Sequence, residues 1–220
     1  MDLPRELPIF PLNGCLLLPG NYLPLNVFEP RYLSMVRDAE DGGGYIGMVQ
    51  PFGRGEFGRR PPESPEGEPE VYAVGCAGMI EESEPQTDGR VHLLLRGVIR
   101  FRIRQELRMT RGYRRVEAGY EEFVGDLLEP HAERHAAQLL ELLRQFGERT
   151  GIEFDLDRLQ DLPGAVLLNA VCAALPFSPE EKQALLEAAG PVERETLLKE
   201  LLEMESFRPN GVGNGDPTVH

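Results

Sequence analysis

The chain has 220 residues and a formal net charge of -14 at pH 7, with 41% hydrophobic and 27% charged residues. This composition predicts a folded globular protein with an ample core, and the acidic excess argues against a general binder of nucleic acids or anionic membranes. Three widely spaced cysteines without a CxxC pair predict reduced, buried thiols, not disulfides or a zinc site; they are Cys15, Cys76 and Cys172.

The N-terminal segment 1–6 lacks the basic and apolar regions of a signal peptide. No apolar run in the sequence approaches the ~18 residues that a membrane-spanning helix needs. The sequence therefore predicts a cytoplasmic protein with no membrane partner.

The first organised stretch, residues 7–36, divides short apolar runs with proline and glycine. Runs of this kind predict two or three short strands, at residues 7–12, 15–18 and 22–27. The segment FEPRY at 28–32 predicts the start of a helix, because Pro30 suits the first helical position. Three consecutive glycines at 42–44 predict its end.

Alternating apolar residues predict further strands over 45–50, 71–82, 90–96, 98–107 and 114–124. Gly75 and Gly78 predict a bulge or curl inside one strand, and Gly97 predicts a break between two others. Asp88-Gly89 predicts a hairpin turn. Segment 51–70 is rich in Gly, Pro, Arg and Glu and predicts a loop, either a surface insertion or a functional segment.

From Pro130 the apolar period changes to that of helices. A nearly all-apolar helix is predicted over 165–175. The sequence SPEE at 178–181 predicts a capped helix start, with Ser178 as N-cap and Glu181 completing a capping box. A last helix carries leucines near residue 200, and the Gly- and Asn-rich segment 209–220 predicts a disordered tail.

Several motifs occur in an order that resembles the N-terminal domain of the ATP-dependent protease Lon, and more narrowly free-standing bacterial proteins made of that domain alone. They are LPIFPL at 7–12, LLPG at 17–20, LPLNVFEPRY at 23–32, LLLRGVIRFRI at 93–103 and LPFSPEEKQ at 175–183. The resemblance implies an α+β fold: a small antiparallel β-barrel, similar to the pseudouridine-synthase-and-archaeosine-transglycosylase (PUA) barrel, followed by a helical subdomain. The expected boundaries are 1–126 for the barrel, 127–208 for the helices and 209–220 for the tail.

The resemblance also implies a non-catalytic module that binds unfolded or exposed protein segments, without a cofactor. A protease or chaperone system is a further expected partner. The binding surface is expected either in the groove between barrel and helices or along a sheet edge.

The residues themselves offer little catalytic chemistry. The chain has two lysines, Lys182 and Lys199, and neither follows a glycine, so no phosphate-binding P-loop is present. Both are predicted to face solvent, where an ammonium group is a poor base. Cysteines in apolar runs are usually inert. His131 and His135, four residues apart, are interpreted as an exposed pair and not as a metal site.

Two groups of residues form the candidate binding surfaces. Arg100, Arg102 and Arg104 alternate along one strand face, and could bind phosphates or pair with Glu117, Glu121 and Glu122. Glu29, Arg31 and Tyr32 could form a recognition surface, or cap the first helix and hold it on the barrel. An RNA-binding module and an enzyme of unrecognised type therefore remain the alternatives to a protein-binding module.

Overall fold

The computed structural model describes residues 3–51, 69–128 and 136–207. Most of the predicted loop at 51–70, both histidines of the pair at 131 and 135, and the predicted tail lie outside these residues. Within the described ranges, no helix is both long and apolar enough to cross a membrane.

Six strands and a first helix make up the N-terminal part. In chain order they are β1 (Glu6–Pro11), β2 (Tyr22–Val27), α1 (Pro30–Asp41), β3 (Tyr45–Val49), β4 (Val74–Pro85), β5 (Val91–Thr110) and β6 (Tyr113–Gly119). A 3-10 helix at Glu121–Leu127 follows. The C-terminal part is helical: α2 (Ala136–Thr150), α3 (Leu156–Leu159), α4 (Gly164–Ala174), α5 (Pro179–Glu187) and α6 (Pro191–Phe207).

The strands form one mixed sheet in the order β2-β5-β4-β3-β1-β6, and β5 pairs additionally with β6. That extra pairing curls the sheet strongly. The α+β fold is confirmed, but the sheet is not wholly antiparallel, as the resemblance implied. β1 runs parallel to β3, with Ile9 opposite Gly47, and β2 occupies an edge of the sheet.

Strand β5 corrects the prediction of two strands divided at Gly97. It continues through that glycine, because Gly97 is the point where the backbone of the β1–β2 connection crosses the strand. Gly20 N–H donates to the Gly97 carbonyl at 2.9 Å, and Gly97 N–H donates to the Asn21 carbonyl at 2.8 Å. The segment 15–18 that leads into this crossing is not a strand, although its three leucines are buried.

Two other strand ends differ from the prediction. β4 begins at Val74, and β6 ends at Gly119 instead of continuing to Val124. Tyr120 leaves the extended conformation, with φ -110° and ψ -6°, and starts the 3-10 helix. The predicted irregularity near Gly78 is confirmed, since the pairing of β4 with β5 shifts register between Ala77 and Gly78.

One continuous core joins the two parts. Its strand and α1 residues include Leu7, Ile9, Met35, Ile46, Ile99 and Phe101, and its helical residues include Leu139, Leu143, Leu167, Cys172 and Leu198; all are fully buried. Their apolar side chains recur at a period of two in the strands and about 3.6 in the helices, which is why these segments bury one face each.

Helix α5 lies against the sheet through polar contacts. Gln50 Nε2 donates to the Pro179 carbonyl at 3.0 Å, and Gln183 Nε2 donates to the Val74 carbonyl at 3.1 Å. Lys182 Nζ donates to the Gly14 carbonyl at 2.9 Å. These bonds use the free carbonyl groups of loops and strand ends, so they set the position of the helix as well as satisfying buried polar atoms.

The capping box predicted for α5 is confirmed. Ser178 Oγ accepts from the Glu181 N–H at 3.2 Å, and Glu181 Oε2 accepts from the Ser178 N–H at 2.8 Å. Two N–H groups of the first turn, which have no partner inside the helix, are thereby satisfied.

Replacing Ser178 with alanine is therefore expected to lower the free energy of unfolding by about 1 kcal/mol, because the cap is lost. Urea denaturation followed by circular dichroism measures the change. Ser34→Ala is the matched control, since Ser34 Oγ donates to the Pro30 carbonyl within α1 and caps no helix end. We expect that variant to be as stable as the native chain. Equal losses in both variants would contradict the capping role.

Candidate functional site

A cleft of ≈ 580 Å³ lies between the sheet and the helices. Its walls come from the β1–β2 connection, the middle of β5, the 3-10 helix, α4 and the start of α6. The lining residues include Gly20, Val98, Arg100, Phe123, Asp126, Leu127, Leu128, Val166, Asn169, Pro191 and Arg194. A cleft of this size, at a junction between two parts of a fold, is a common location for a ligand.

The mouth of the cleft carries exposed apolar side chains. Leu127 and Leu128 line it and are 47% and 70% exposed, and Val124 on the same 3-10 helix is 60% exposed. Val192, directly after the lining residue Pro191, is 63% exposed. The two leucines that line the cleft are therefore available for contact with another apolar surface.

The floor of the cleft is built around Arg100, which is almost completely buried. Its Nε and Nη2 donate to the two Asp126 carboxylate oxygens at 2.9 and 2.8 Å. Its Nη1 donates to the carbonyl oxygens of Leu186 and Ala188 at the end of α5. The guanidinium also lies over the Phe123 ring, 4.8 Å from its centroid. Arg100 thus joins the strand, the 3-10 helix and α5.

Arg194 is a second buried guanidinium in the lining. Its Nε donates to the Leu185 carbonyl at 2.9 Å and its Nη1 to Asn169 Oδ1 at 3.0 Å. Its Nη2 atom has no hydrogen-bond partner among the described residues. Burial, and secondarily the positive charge of Arg100, lowers the pKa of Arg194 to about 10. Asn169 in turn donates to the Pro19 carbonyl at 2.9 Å.

The predicted arginine row does not form one exposed surface. Arg100 is buried, whereas Arg102 pairs with Glu122 at 2.7 Å and Arg104 pairs with Glu121 at 2.6 Å on the outside of the protein. The carboxylates come from the 3-10 helix and not from a facing strand. The hydrogen bonds that these two arginines donate to the glutamates raise the pKa of both guanidinium groups.

Glu29, Arg31 and Tyr32 lie together at the start of α1 and do not line the cleft. Glu29 occupies the N-cap position, but its side chain makes no cap bond and accepts from Arg31 Nε at 3.0 Å. Arg31 lies over the Tyr32 ring at 4.7 Å, and that ring packs on Phe10 of β1 at 4.2 Å between centroids. Tyr32 therefore holds α1 on the sheet.

The thiols of Cys15 and Cys172 and the amine of Lys182 do not line the cleft. Burial raises the pKa of Cys172 to about 12 and also raises the pKa of Cys15, which keeps both thiols protonated. Lys182 is half-buried and not solvent-facing as predicted, since it reaches Gly14, and burial lowers its pKa. Across the described ranges, no group of three or more His, Cys, Asp or Glu side chains could hold a metal ion.

Sequence reasoning missed Arg194, Asn169 and the apolar mouth. The two polar residues lie on helices whose meeting with the β1–β2 connection is a tertiary feature that local pattern does not reveal. The mouth did leave a signal: the adjacent pair Leu127-Leu128 follows the last strand in a segment that is otherwise acidic.

The comparisons with known proteins decide the family. The model of the ATP-dependent protease La (LON) substrate-binding domain matches residues 6–204. The chain belongs to this Lon substrate-binding domain family. It is 28% identical over 208 residues to Lon protease 2 of Myxococcus xanthus and 27% identical over 207 residues to the Lon protease of Anaeromyxobacter dehalogenans.

The Lon relatives are much longer than the matched region. The Myxococcus match covers 91% of this chain but 24% of the relative, and the Anaeromyxobacter match covers 91% and 23%. The chain thus spans about a quarter of the length of the curated Lon relatives.

Solved structures agree with the family. A Lon N-terminal domain protein from Xanthomonas campestris is 26% identical, with a TM-score of 0.59, and the match covers 88% of this chain and 96% of that one. The N-terminal domain of a Mycobacterium avium complex Lon protease matches with a TM-score of 0.60 at 16% identity, over 90% and 98% of the two chains. This second likeness supports the Lon N-terminal fold alone.

Proposed function

We propose that this chain is a non-catalytic module that binds exposed apolar segments of other polypeptides in the cleft between sheet and helices. One observation carries the proposal: exposed leucines stand at the mouth of a cleft of ≈ 580 Å³. Membership of a family described by substrate binding in Lon supports it. An unfolded chain differs from a folded one mainly in its exposed apolar side chains, and such a mouth can bury them.

The cleft is favoured over the free edge of the sheet. Edge strand β2 carries Pro24, which has no N–H to donate to an added strand. Proline on an edge is one of the devices by which proteins resist pairing with other chains. Leu23 and Leu25 of the same strand are partly buried and pack against the core.

The RNA-binding alternative gains no support from the arginine row. Arg102 and Arg104 form ion pairs with glutamates, and Arg100 forms a buried ion pair with Asp126. Binding to phosphates would require these ion pairs to be exchanged, in a chain whose net charge of -14 repels nucleic acid. The proposed partners are unfolded or exposed protein segments in the cytoplasm, together with a protease or chaperone system that uses them.

The double variant Leu127→Ser, Leu128→Ser tests the proposal. Fluorescence anisotropy measures the Kd of a labelled, unstructured peptide rich in Leu and Val for the native chain and the variant. We expect the variant to bind about tenfold more weakly, because two apolar contacts are lost from the mouth. Tyr22→Ser is the matched control, since Tyr22 is 59% exposed on β2 and does not line the cleft; we expect it to bind normally.

Equal affinity for the native chain and the double variant would contradict binding at the cleft. ATPase or peptidase activity of the purified protein would contradict a purely binding role. Circular dichroism of each variant verifies that the fold is retained, which is expected because the substituted side chains are largely exposed.

A further inference from the structure

We infer that the floor of the cleft receives a carboxylate group of the bound segment, with the Arg194 guanidinium as its partner. The inference rests on the proposed function and specifies its ligand: an apolar segment that ends in a free C-terminal carboxylate. It is carried by the charge balance of the lining and by the one buried guanidinium nitrogen of the lining that lacks a hydrogen-bond partner.

The lining contains three arginines and two acidic residues, which is a surplus of one positive charge. Asp126 pairs with Arg100 at 2.8 Å. The other acidic residue, Glu122, pairs with Arg102 outside the cleft, and the lining residue Arg96 pairs with Glu81, also outside. Arg194 has no ion pair within the described residues, so the surplus positive charge of the cleft lies on its side chain.

Arg194 is 2% exposed as a whole residue, and its Nη2 atom is buried without a hydrogen bond. A buried N–H of a charged group that lacks an acceptor is energetically costly and is rarely left so in a native protein. The neighbouring cation, Arg100, adds repulsion that a bound anion would relieve. A carboxylate oxygen supplies both the missing acceptor and the missing charge.

The other two nitrogens hold the guanidinium in place. The bonds from Nε to Leu185 and from Nη1 to Asn169 fix the direction of Nη2 before a ligand arrives. A group fixed in this way loses little conformational freedom on binding, which favours affinity. Because Nη2 is shielded at present, the shielding side chains must move aside, and we expect association to be slower than for a rigid site.

The test uses the native chain and one apolar peptide in two forms, with a free C-terminal carboxylate and with a C-terminal amide. Fluorescence anisotropy gives the Kd of each. We expect the free acid to bind about tenfold or more tightly than the amide, the difference that one charge-assisted hydrogen bond supplies. Arg194→Gln is expected to remove the preference, and the matched variant Arg102→Gln, outside the cleft, is expected to keep it.

Equal Kd values for the two peptide forms on the native chain would overturn the carboxylate inference and leave the proposed function standing. Binding of neither form would overturn both. A preference that survives in Arg194→Gln would assign the carboxylate to another residue and overturn the role of Arg194. Should that variant fail to fold, the comparison of acid and amide on the native chain still decides whether the cleft selects a carboxylate.

Discussion

Replacing Arg100 with methionine is expected to lower the free energy of unfolding by about 3–5 kcal/mol, the cost of breaking a buried ion pair by removing one partner. Asp126, whose side chain is 11% exposed, would keep its charge without a counterion. The carbonyl groups of Leu186 and Ala188 at the end of α5 would lose their donor. Since domains are stable by only ~5–15 kcal/mol, the loss would be a large part of the total.

Arg102→Met provides the matched control. Arg102 is two residues further along the same strand and has an equally short ion pair, with Glu122 at 2.7 Å, but both side chains are about half exposed. Exposed ion pairs contribute only ~0–1 kcal/mol, because water screens the charges and both side chains lose conformational freedom when they pair. Urea denaturation measures the free energy of unfolding of the two variants. Both carry the same Arg→Met change, so the difference between them reports the effect of burying the ion pair. Similar losses in both would show that the buried pair does not join the two parts of the fold.

Replacing Gly97 with alanine is expected to cost about 3 kcal/mol or more, because the added methyl group overlaps backbone and has no space to move into. A Cβ built on Gly97 lies 2.2 Å from the Leu18 carbonyl oxygen, whereas real Cβ contacts essentially never fall below 3.0 Å. Relief requires the β1–β2 connection to lift from β5, which would break the hydrogen bonds of Gly97 with Gly20 and Asn21.

Gly125→Ala is the control for this second prediction. A Cβ on Gly125 meets nothing within 4 Å, and we expect its effect on stability to stay within ~0.5 kcal/mol. Thermal unfolding of the two variants measures the difference. If Gly97→Ala unfolded at the same temperature as the native chain, the crossing of residues 18–21 over β5 would be adjustable, and the close approach would have no structural role.

Much of the fold follows from local pattern. Period-two alternation locates most strands, and the capped start of α5 is readable because Ser178, Pro179 and Glu181 act within one turn. The parallel pairing of β1 with β3 does not follow, because strand direction depends on the path of the chain through α1 and leaves no mark in the strand residues. The break predicted at Gly97 was wrong for a similar reason. A glycine in a strand pattern is compatible both with the end of a strand and with the close approach of another backbone segment.

The candidate site was harder to predict than the fold. Alternation along β5 placed Arg100, Arg102 and Arg104 on one outward face, and that face is covered at one end by α5 and the 3-10 helix. Burial of Arg100 therefore depends on elements far along the chain. Arg194 was not distinguished from the other arginines of the helices, since its contacts with Asn169 and Leu185 arise only when α4, α5 and α6 pack together.

The position of β1 has a consequence for how the protein forms. Its two neighbours are β3 and β6, and Ile9 pairs with Arg114, more than a hundred residues downstream. During synthesis β1 leaves the ribosome early. Both of its edges are paired only after β6 has also been synthesised. Long-range pairings of this kind slow folding and leave strand edges open to other chains. In this Lon substrate-binding domain, the first strand is thus only partly paired until β6 has been synthesised.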